Sequence, residues 1–470
     1  MSRDRLAGLP RNAFALLSGA VALLFCGVAP AGAQDLALPD VPAIEYERYT
    51  LDNGLQVILH RDSSVPLVAM NIWYHVGSGD EVPGRTGFAH LFEHIMFMGS
   101  ENVPVGMYDI WLESEGAGVN GTTNSDRTNY FVWMPSHALP LALWLEADRM
   151  GNLLPTMNQE KLDVQRDIVK NERRQSYDNA PYGLAYETIL AALYPAGHPY
   201  SWSTIGSMDD LSAASLEDVN RFFSTYYAPN NASIAIAGDF DPDSVKAIVE
   251  QYFGWIPRGD VEPPRPTVRP FSVQRDTFMV LEDRVQLPRL YNAWHSTRAL
   301  TDDDAALRAL AYILAGDKSS RLYESLVYTR QVAQDVSVFQ SGSRLDGMFM
   351  LQVTPRPDET PATMQLLVDQ ELERVRSDGV TERELQRAKS VLMSSSLNRL
   401  TGVLGKADQL NYYGYYAGDP GYGPTDAARV ANLTAADVQR VAREYLNAPR
   451  VTLTVVPTGR PELMVNRGVQ

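Results

Sequence analysis

Cysteine is nearly absent from this sequence: the 470 residues include a single one, Cys26. This excludes an intramolecular disulfide and a cysteine-rich metal site, so any bound metal must be held by histidine, aspartate or glutamate. Histidine is also scarce, with seven in the chain. Two of the seven, His90 and His94, stand four residues apart, a spacing that places them on one face of a helix. The other five are isolated, and we expect them to be structural or at the surface.

An excess of positive charge is lacking as well. The chain has 41 basic and 57 acidic side chains and a net charge of −16. This balance argues against nucleic acid or an anionic membrane as the main partner. With 45% apolar and 21% charged residues, the composition is that of an ordinary globular protein, long enough for two or more domains.

Long apolar runs are missing beyond the N-terminal segment. Residues 13–28 form one apolar run, preceded by three arginines and followed by the small residues Ala31-Gly32-Ala33. This order predicts a signal peptide over residues 1–33 that is removed on export, with the mature protein in the periplasm. A membrane anchor is the alternative, but the run is short for a span. We therefore expect no stable membrane insertion after cleavage.

The segment around the paired histidines has the sequence His90-Leu91-Phe92-Glu93-His94. Two imidazoles on one helical face can bind a single metal ion, and Glu93 is close enough to reach a water bound to that ion. A catalytic zinc needs two such imidazoles, a third ligand and a separate carboxylate base. The motif supplies three of these four groups. Any of several carboxylates elsewhere in the chain could be the third ligand.

Apolar residues dominate the motif and its flanks: Phe88, Ala89, Leu91, Phe92, Ile95, Met96 and Phe97. A helix that is apolar nearly all round is buried, and buried histidines and a carboxylate without partners would cost several kcal/mol. A bound metal removes that cost, so we favour a metal site over a surface helix with two solvated histidines. We expect the helix to begin near Gly87, with Thr86 as its N-cap.

A glycine-rich, polar stretch precedes a strong strand pattern in the same half of the chain. Residues 116–123 are small or polar, and they lead into the strand pattern of residues 128–133. A flat strand of this kind lets a second backbone approach closely, so an extended peptide can add to it as a further strand. A plain bulged edge strand is the alternative. The candidate substrate-binding residues are Val119, Asn120, Gly121, Thr122 and Thr123.

Proline marks the middle of the chain, with five prolines between residues 257 and 270. This composition predicts a linker over residues 257–271. On its two sides we expect an N-terminal zinc-binding catalytic domain, residues 34–256, and a C-terminal domain without metal, residues 272–470.

Both halves repeat the same local signals. Ser215-x-x-Asp218 in the first half matches Thr434-x-x-Asp437 in the second, and an alternating strand pattern follows each. The helix around residues 307–314, which matches the metal helix, has no histidine. We predict the α+β class, with two homologous α/β-sandwich halves of about 210 residues each, mixed sheets and helices packed on them.

Taken together, these motifs resemble one known family of zinc peptidases. His-x-x-Glu-His reverses the commoner His-Glu-x-x-His order. Combined with Asn171-Glu172-Arg173-Arg174 and Gly118-Val119-Asn120-Gly121-x-Thr123, it is similar to the pitrilysin, insulin-degrading enzyme and mitochondrial processing peptidase family. The similarity is greatest to the short bacterial members, and it covers nearly the whole chain after the predicted signal peptide.

The resemblance implies a zinc-dependent endopeptidase in which His90, His94 and Glu172 hold the ion and Glu93 is the general base. It also implies that the two halves face each other around a chamber, which admits extended, unstructured peptides. We expect Ile168 and Val169 to bury one face of the helix, with Glu172 one turn after Ile168. An ion pair with a nearby arginine is the alternative role for Glu172.

One feature of active relatives is missing from this chain. They carry an arginine and a tyrosine seven residues apart in the second half, and the matching positions here are Val327 and Gln334. Arg321 and Tyr328 have the same spacing but stand six residues earlier. The resemblance implies a heterodimer in which a homologous, zinc-free subunit supplies the pair, with a homodimer as the alternative.

A second function, from another class, is a non-catalytic scaffold or peptide-binding subunit of a larger complex. Such a subunit has no reason to retain both histidines, the base and the third ligand together, so we favour the peptidase.

Overall fold

The structure, a computed structural model, describes residues 38–466. The predicted signal peptide, residues 1–33, lies outside the described residues. Among the helices of the described part, none is both long enough and apolar enough to cross a membrane.

Two β-sheets form the framework. The first contains β1 (Glu47–Thr50), β2 (Gln56–Arg61), β3 (Leu67–Tyr74), β4 (Gly118–Thr123), β5 (Thr128–Pro135) and β6 (Ala232–Gly238). The second contains β7 (Thr277–Asp283), β8 (Arg289–Ser296), β9 (Ala333–Gly342), β10 (Gly347–Pro355) and β11 (Val451–Pro457). Their strand orders are β1-β2-β6-β3-β5-β4 and β7-β11-β8-β10-β9.

Helices pack on both sheets. Those of the first half are α1 (Phe88–Ile95), α2 (Met107–Ser114), α3 (Leu139–Asn152), α4 (Gln159–Arg173), α5 (Ala185–Leu193), α6 (Met208–Ala213), α7 (Leu216–Tyr226) and α8 (Pro242–Phe253). Those of the second half are α9 (Asp302–Ala315), α10 (Pro361–Asp378), α11 (Glu382–Arg399), α12 (Val403–Tyr416), α13 (Gly423–Ala431) and α14 (Ala435–Leu446). Many begin after a serine, threonine, aspartate or asparagine whose side chain accepts a free N–H of the first turn.

Both sheets repeat one topology. β2 and β6 run parallel in the first sheet, as β7 and β11 do in the second, and the other neighbours run antiparallel. The strands β2-β6-β3-β5-β4 thus correspond to β7-β11-β8-β10-β9, with β1 added at the edge of the first sheet. The matching signals at Ser215 and Thr434 both form reciprocal capping boxes. The predicted α+β fold with two homologous halves is confirmed.

Each half contributes a helix to the core of the other. α12, from the second half, packs across β3 and β6 of the first sheet, and α5, from the first half, packs on β8 and β11 of the second. Side chains alternate along β3 accordingly: Met70 and Ile72 lie in the core of the first half, whereas Ala69 lies in the core of the second. The halves therefore pack directly against each other, and the chamber implied by the resemblance stays a prediction.

The proline-rich segment between the halves is irregular. Within the described chain, no helix or strand is found between the end of α8 and the start of β7. Arg265, in this segment, donates to the backbone oxygen of His75 and to the side chain of Asn231. One arginine thus ties the segment to the first half, and the domain boundaries on either side stay predictions.

Candidate metal centre

The helix α1, which has the paired histidines, begins directly after Gly87. Gly87 has a left-handed backbone with a φ of +87°, a conformation that suits glycine because it has no Cβ atom. The expected cap is wrong, since the N–H and hydroxyl of Thr86 both donate to Asp210. Buried Glu81 satisfies the first turn instead: its side chain accepts from the N–H groups of Gly87 and Ala89 at 2.9 and 2.8 Å.

The side chains of His90, His94 and Glu172 meet where α1 packs against α4. The Nε2 atoms of the two histidines lie 3.7 and 3.3 Å from the same carboxylate oxygen of Glu172. Ligand atoms of the three residues all lie within 4.8 Å of one another, and no other such group of potential metal ligands occurs in the described residues. A tetrahedral zinc with bonds of about 2.0–2.1 Å separates its ligand atoms by roughly 3.3–3.4 Å. The two distances to Glu172 are therefore close to those that a zinc ion requires.

The charge states of these side chains also suit a metal. Burial lowers the pKa of His90, so its ring is neutral at pH 7, the form that binds metals. Contact with the His94 ring lowers the pKa of Glu172, so this carboxylate is ionised. The distances from the rings to the carboxylate are longer than in good hydrogen bonds. A cation between the three side chains would satisfy all of them.

Two arginines follow Glu172 but neither pairs with it. Arg173 binds the carboxylate of Glu187, and Arg174 donates to the side chain of Asn171. The ion pairs of Glu172 in the described structure are to the two histidines. The alternative role considered for Glu172, an ion pair with an arginine, is therefore not the one that this structure shows.

An exposed apolar strip leads along α4 to Glu172. Ile168 was expected to be buried, but its side chain is 43% exposed, and Val164, one turn earlier, is 45% exposed. Val169, the other residue that was expected to be buried, does enter the core. Because residues four apart share a helix face, Val164, Ile168 and Glu172 lie in one row beside the metal cluster.

Glu93 is held by the edge strand β4. The hydroxyl of Thr123 donates to Oε2 of Glu93 at 2.6 Å, and a Cβ atom built on Gly121 would lie 3.1 Å from Cγ of Glu93. Burial raises the pKa of Glu93. The sequence predicted both strand residues as substrate contacts and missed that they hold Glu93. Their positions two apart, which put them on one face of the strand, were the available signal.

β4 is the last strand of its sheet, so one of its edges is unpaired. Its ladder with β5 has no register shift, so the bulged strand considered as the alternative is wrong. Val119 packs against the core of the first half, and Asn120 is exposed and accepts the N–H of Gly121 at 2.8 Å. Thr122 donates to a side chain of β5. The five predicted substrate residues thus lie on a regular edge strand that touches Glu93.

The other five histidines lie away from this cluster. His75 is buried against Ser233, His60 contacts the backbone oxygen of Glu45, and His137 pairs with a surface glutamate. His198 and His295 both face the carboxylate of Asp346. The structure therefore gives each of them a partner outside the metal cluster.

The arginine and tyrosine of the second half that have the expected spacing do not form a free pair. Arg321 is bound to the carboxylate of Glu384 by two hydrogen bonds of 2.6 and 2.8 Å, whereas Tyr328 is 76% exposed. At the positions that match active relatives, Val327 packs against the core of the second half and Gln334 is exposed on β9. Arg321 is occupied in holding α11 and is not available to a substrate.

The sequence matches the models of two domains of a single peptidase family. Residues 56–202 match Insulinase (Peptidase family M16), and residues 213–392 match the Peptidase M16 inactive domain. The chain belongs to peptidase family M16. The first match contains the paired histidines, Glu93 and Glu172, and the second contains much of the half without a metal cluster.

Individual relatives support this family assignment. The chain is 28% identical over 413 residues to the zinc protease PqqE of Helicobacter pylori, covering 87% of this chain and 92% of that protein. The crystal structure of a protease from Helicobacter pylori matches with a TM-score of 0.82 at 27% identity, covering 88% of this chain and 100% of that one. Human mitochondrial cytochrome b-c1 complex subunit 1 is 25% identical over 278 residues, 59% of this chain and 56% of that protein. The relatives named as zinc proteases support a metallopeptidase function at the level of the family.

Proposed function

We propose that this protein is a zinc-dependent endopeptidase that hydrolyses extended, unstructured peptides. The observation that carries the proposal is the meeting of His90, His94 and Glu172 from two helices, with Glu93 beside them. Three protein ligands leave one position of a tetrahedral ion open, which is typical of catalytic zinc. When bound, zinc supplies a Lewis acid that lowers the pKa of a water and polarises the scissile carbonyl.

Glu93 is the proton carrier in this proposal. Its carboxylate accepts a proton from the attacking water and gives it to the leaving amine. The hydroxyl of Thr123 donates to one carboxylate oxygen, which leaves the other oxygen to take the proton. Gly121 leaves room for the side chain of Glu93 against the strand.

The peptide would add to the free edge of β4 as a further strand. The side chain of Asn120 accepts the N–H of Gly121 in this structure, and an added peptide would replace that contact with its own carbonyl. Backbone hydrogen bonds hold any extended peptide, so this arrangement selects for extension more than for side-chain sequence.

A Thr123→Val variant tests the role of the strand in holding Glu93. Valine keeps the shape of the side chain but cannot donate to the carboxylate, and we expect kcat for peptide cleavage to fall about tenfold, the equivalent of one hydrogen bond to a charged group. KM and zinc content should change little. Thr123→Ser, which keeps the hydroxyl, is the matched control and should retain most of the activity. Equal kcat values for the valine and serine variants would contradict this role.

Zinc analysis separates the peptidase from the non-catalytic scaffold. Purified peptidase should contain about one zinc per chain and should lose peptide cleavage on chelation and regain it when zinc is returned. A chain that binds no zinc would instead favour the scaffold or peptide-binding subunit. That alternative draws on the relative named as a subunit of the cytochrome b-c1 complex.

We also propose that a homologous, zinc-free subunit completes the site. Arg321 is engaged with Glu384, so the arginine and tyrosine that have the family's spacing do not form a free pair for the substrate carbonyl. A homodimer is the alternative assembly.

The chain alone should therefore be a weak peptidase. Loss of one donor to the developing oxyanion costs about 10²–10³ in kcat, and addition of the partner should restore a rate higher by that factor. Co-purification from the native host, followed by cleavage of an unstructured peptide with and without the recovered partner, measures this. A complex that contains Glu93→Gln in this chain controls for activity of the partner itself. Full activity of the isolated chain as a monomer would contradict the partner proposal and leave the zinc site intact.

We place this activity in the periplasm, after removal of residues 1–33. The apolar N-terminal run and its small-residue cleavage site support this proposal. Sequencing the N-terminus of the mature protein tests it, with Gln34 as the expected first residue.

A further inference from the structure

The chain directly after Glu172 adopts two uncommon conformations. α4 ends at Arg173 and continues as a short π-helix, Arg174–Asp178. Tyr182, a few residues later, has a left-handed backbone with a φ of +63°. Both conformations are rare, and a bulky residue at positive φ persists only where its surroundings hold it there. Something must therefore hold this segment, which begins at the proposed third zinc ligand.

The contacts that hold Tyr182 come from the second half. Its N–H donates to Oδ2 of Asp283 at 2.7 Å, and its hydroxyl donates to the backbone oxygen of Leu287 at 2.9 Å. The guanidinium of Arg289 lies over its ring, 3.8 Å from the centroid. The residue is thus anchored on three sides by the end of β7 and the start of β8.

A second set of contacts begins at Arg173, the residue next to Glu172. The guanidinium of Arg173 binds both carboxylate oxygens of Glu187, at 2.9 and 3.2 Å, and the hydroxyl of Ser203 also donates to Glu187. Arg173 is only 8% exposed, and its guanidinium also donates to the backbone oxygen of Gly206 at 2.6 Å. Glu187 lies on α5, the helix that covers the second sheet.

The carboxylate of Glu172 has little else to position it. Its side chain is 41% exposed, and its ion pairs in the described structure are to the two histidines. The histidines themselves lie on α1, whose apolar residues are buried in the first half. The packing of α4 on α1 brings Glu172 to the histidines, and the contacts at the end of α4 then adjust where its carboxylate stands relative to the two imidazoles.

We propose that the first-half segment seated on the half without a metal cluster positions the third zinc ligand. Tyr182, which binds that half directly, and Glu187, on the first-half helix α5 that packs on it, are the positioning residues, and both act through the backbone at Arg173. The inference rests on the proposed zinc site and adds a role for the second half within the same chain. The two anchors set the distance from the Glu172 carboxylate to the imidazoles, and hence the affinity for zinc and the geometry around the ion.

Metal affinity of the full chain, without any peptidase assay, tests this inference. Zinc affinity is measured by competition with a chelator, and the visible absorption spectrum of the Co²⁺ form reports the coordination geometry. Glu187→Gln weakens the pair with Arg173 and should reduce zinc affinity by about tenfold, the equivalent of one hydrogen bond to a charged group, and it should change the Co²⁺ spectrum. Tyr182→Phe keeps the ring on Arg289 but loses the bond to Leu287, and should weaken binding by about fivefold.

Asp163→Asn is the matched control, because it removes the carboxylate partner of Arg166 on the same helix at a distance from Glu172. The zinc affinity of this variant should stay within about twofold of the wild-type value, since a half-exposed ion pair contributes little to the stability of the fold. Wild-type affinity and an unchanged Co²⁺ spectrum in folded Glu187→Gln would overturn the inference while leaving the zinc site in place. If Glu187→Gln does not fold, the same two measurements on Tyr182→Phe decide the matter: wild-type zinc affinity and an unchanged Co²⁺ spectrum would overturn the inference. A wild-type chain that binds no zinc would overturn this inference and the proposed function together.

Discussion

A Glu93→Gln variant is expected to hold zinc as tightly as the wild-type chain and to cleave peptides at least about a hundredfold more slowly. Glutamine has the same shape as glutamate, and its amide oxygen can still accept the hydroxyl of Thr123, which donates at 2.6 Å in this structure. The amide cannot take a proton from water, so binding survives while proton transfer is lost. Zinc content and the cleavage rate of an unstructured fluorogenic peptide, measured on the same preparation, check both parts.

Glu113→Gln is the control for this experiment, because Glu113 is an exposed carboxylate on the neighbouring helix α2. It should have wild-type activity. If Glu93→Gln cleaves peptides at the normal rate, Glu93 is not the general base and the proposed mechanism is wrong.

A Glu172→Ala variant is expected to lose zinc and, with it, peptidase activity. The change leaves His90 and His94 alone to hold the ion, without the negative charge that lies 3.3 Å from the nearer ring. We expect zinc affinity to fall by more than about a hundredfold, beyond the range for an outer-shell partner. Metal analysis after dialysis measures the loss, and thermal unfolding of the metal-free protein shows whether the fold is retained.

Glu160→Ala provides the comparison on the same helix. Glu160 is exposed in the first turn of α4, far along the helix from the cluster, and its removal should affect neither zinc nor activity. Retention of one zinc per chain by Glu172→Ala would assign the third ligand to another carboxylate.

Much of the local structure could be predicted from the sequence, because it depends on spacing within one element. Histidines four apart share a helix face whatever surrounds the helix. The matching signals that begin at Ser215 and Thr434 predicted a repeated unit, and both residues cap a helix in the structure. The glycine-rich stretch predicted a strand, and β4 forms there.

The predictions that failed involve partners distant in sequence. Thr86 is a reasonable cap by residue type, but its hydroxyl donates to Asp210. The carboxylate of Glu81 accepts the free N–H groups at the start of the helix instead. Ile168 suits a buried position, yet the packing of α4 turns Val169 inward and leaves Ile168 exposed. Each outcome depends on how two elements pack, which no local pattern contains.

The exchange of helices between the halves was also beyond sequence reasoning. The repeat indicated two similar units, but α5 and α12 each cover the sheet of the other unit. This exchange is what connects Arg173, beside the third ligand, to Glu187 on a helix of the second core.

By itself, the sequence determined the class of fold, the paired histidines with their neighbouring carboxylate, and the edge strand beside them, because each follows from periodicity and residue chemistry within a short segment. Spacing alone left several carboxylates open, and only the tertiary structure shows that Glu172, which the family resemblance implied, reaches the histidines through the packing of α4 on α1. It also placed Tyr182, a few residues after that helix, against the half without the cluster. Contacts between distant segments arise when the whole chain buries its apolar surface, and spacing along the sequence does not specify them.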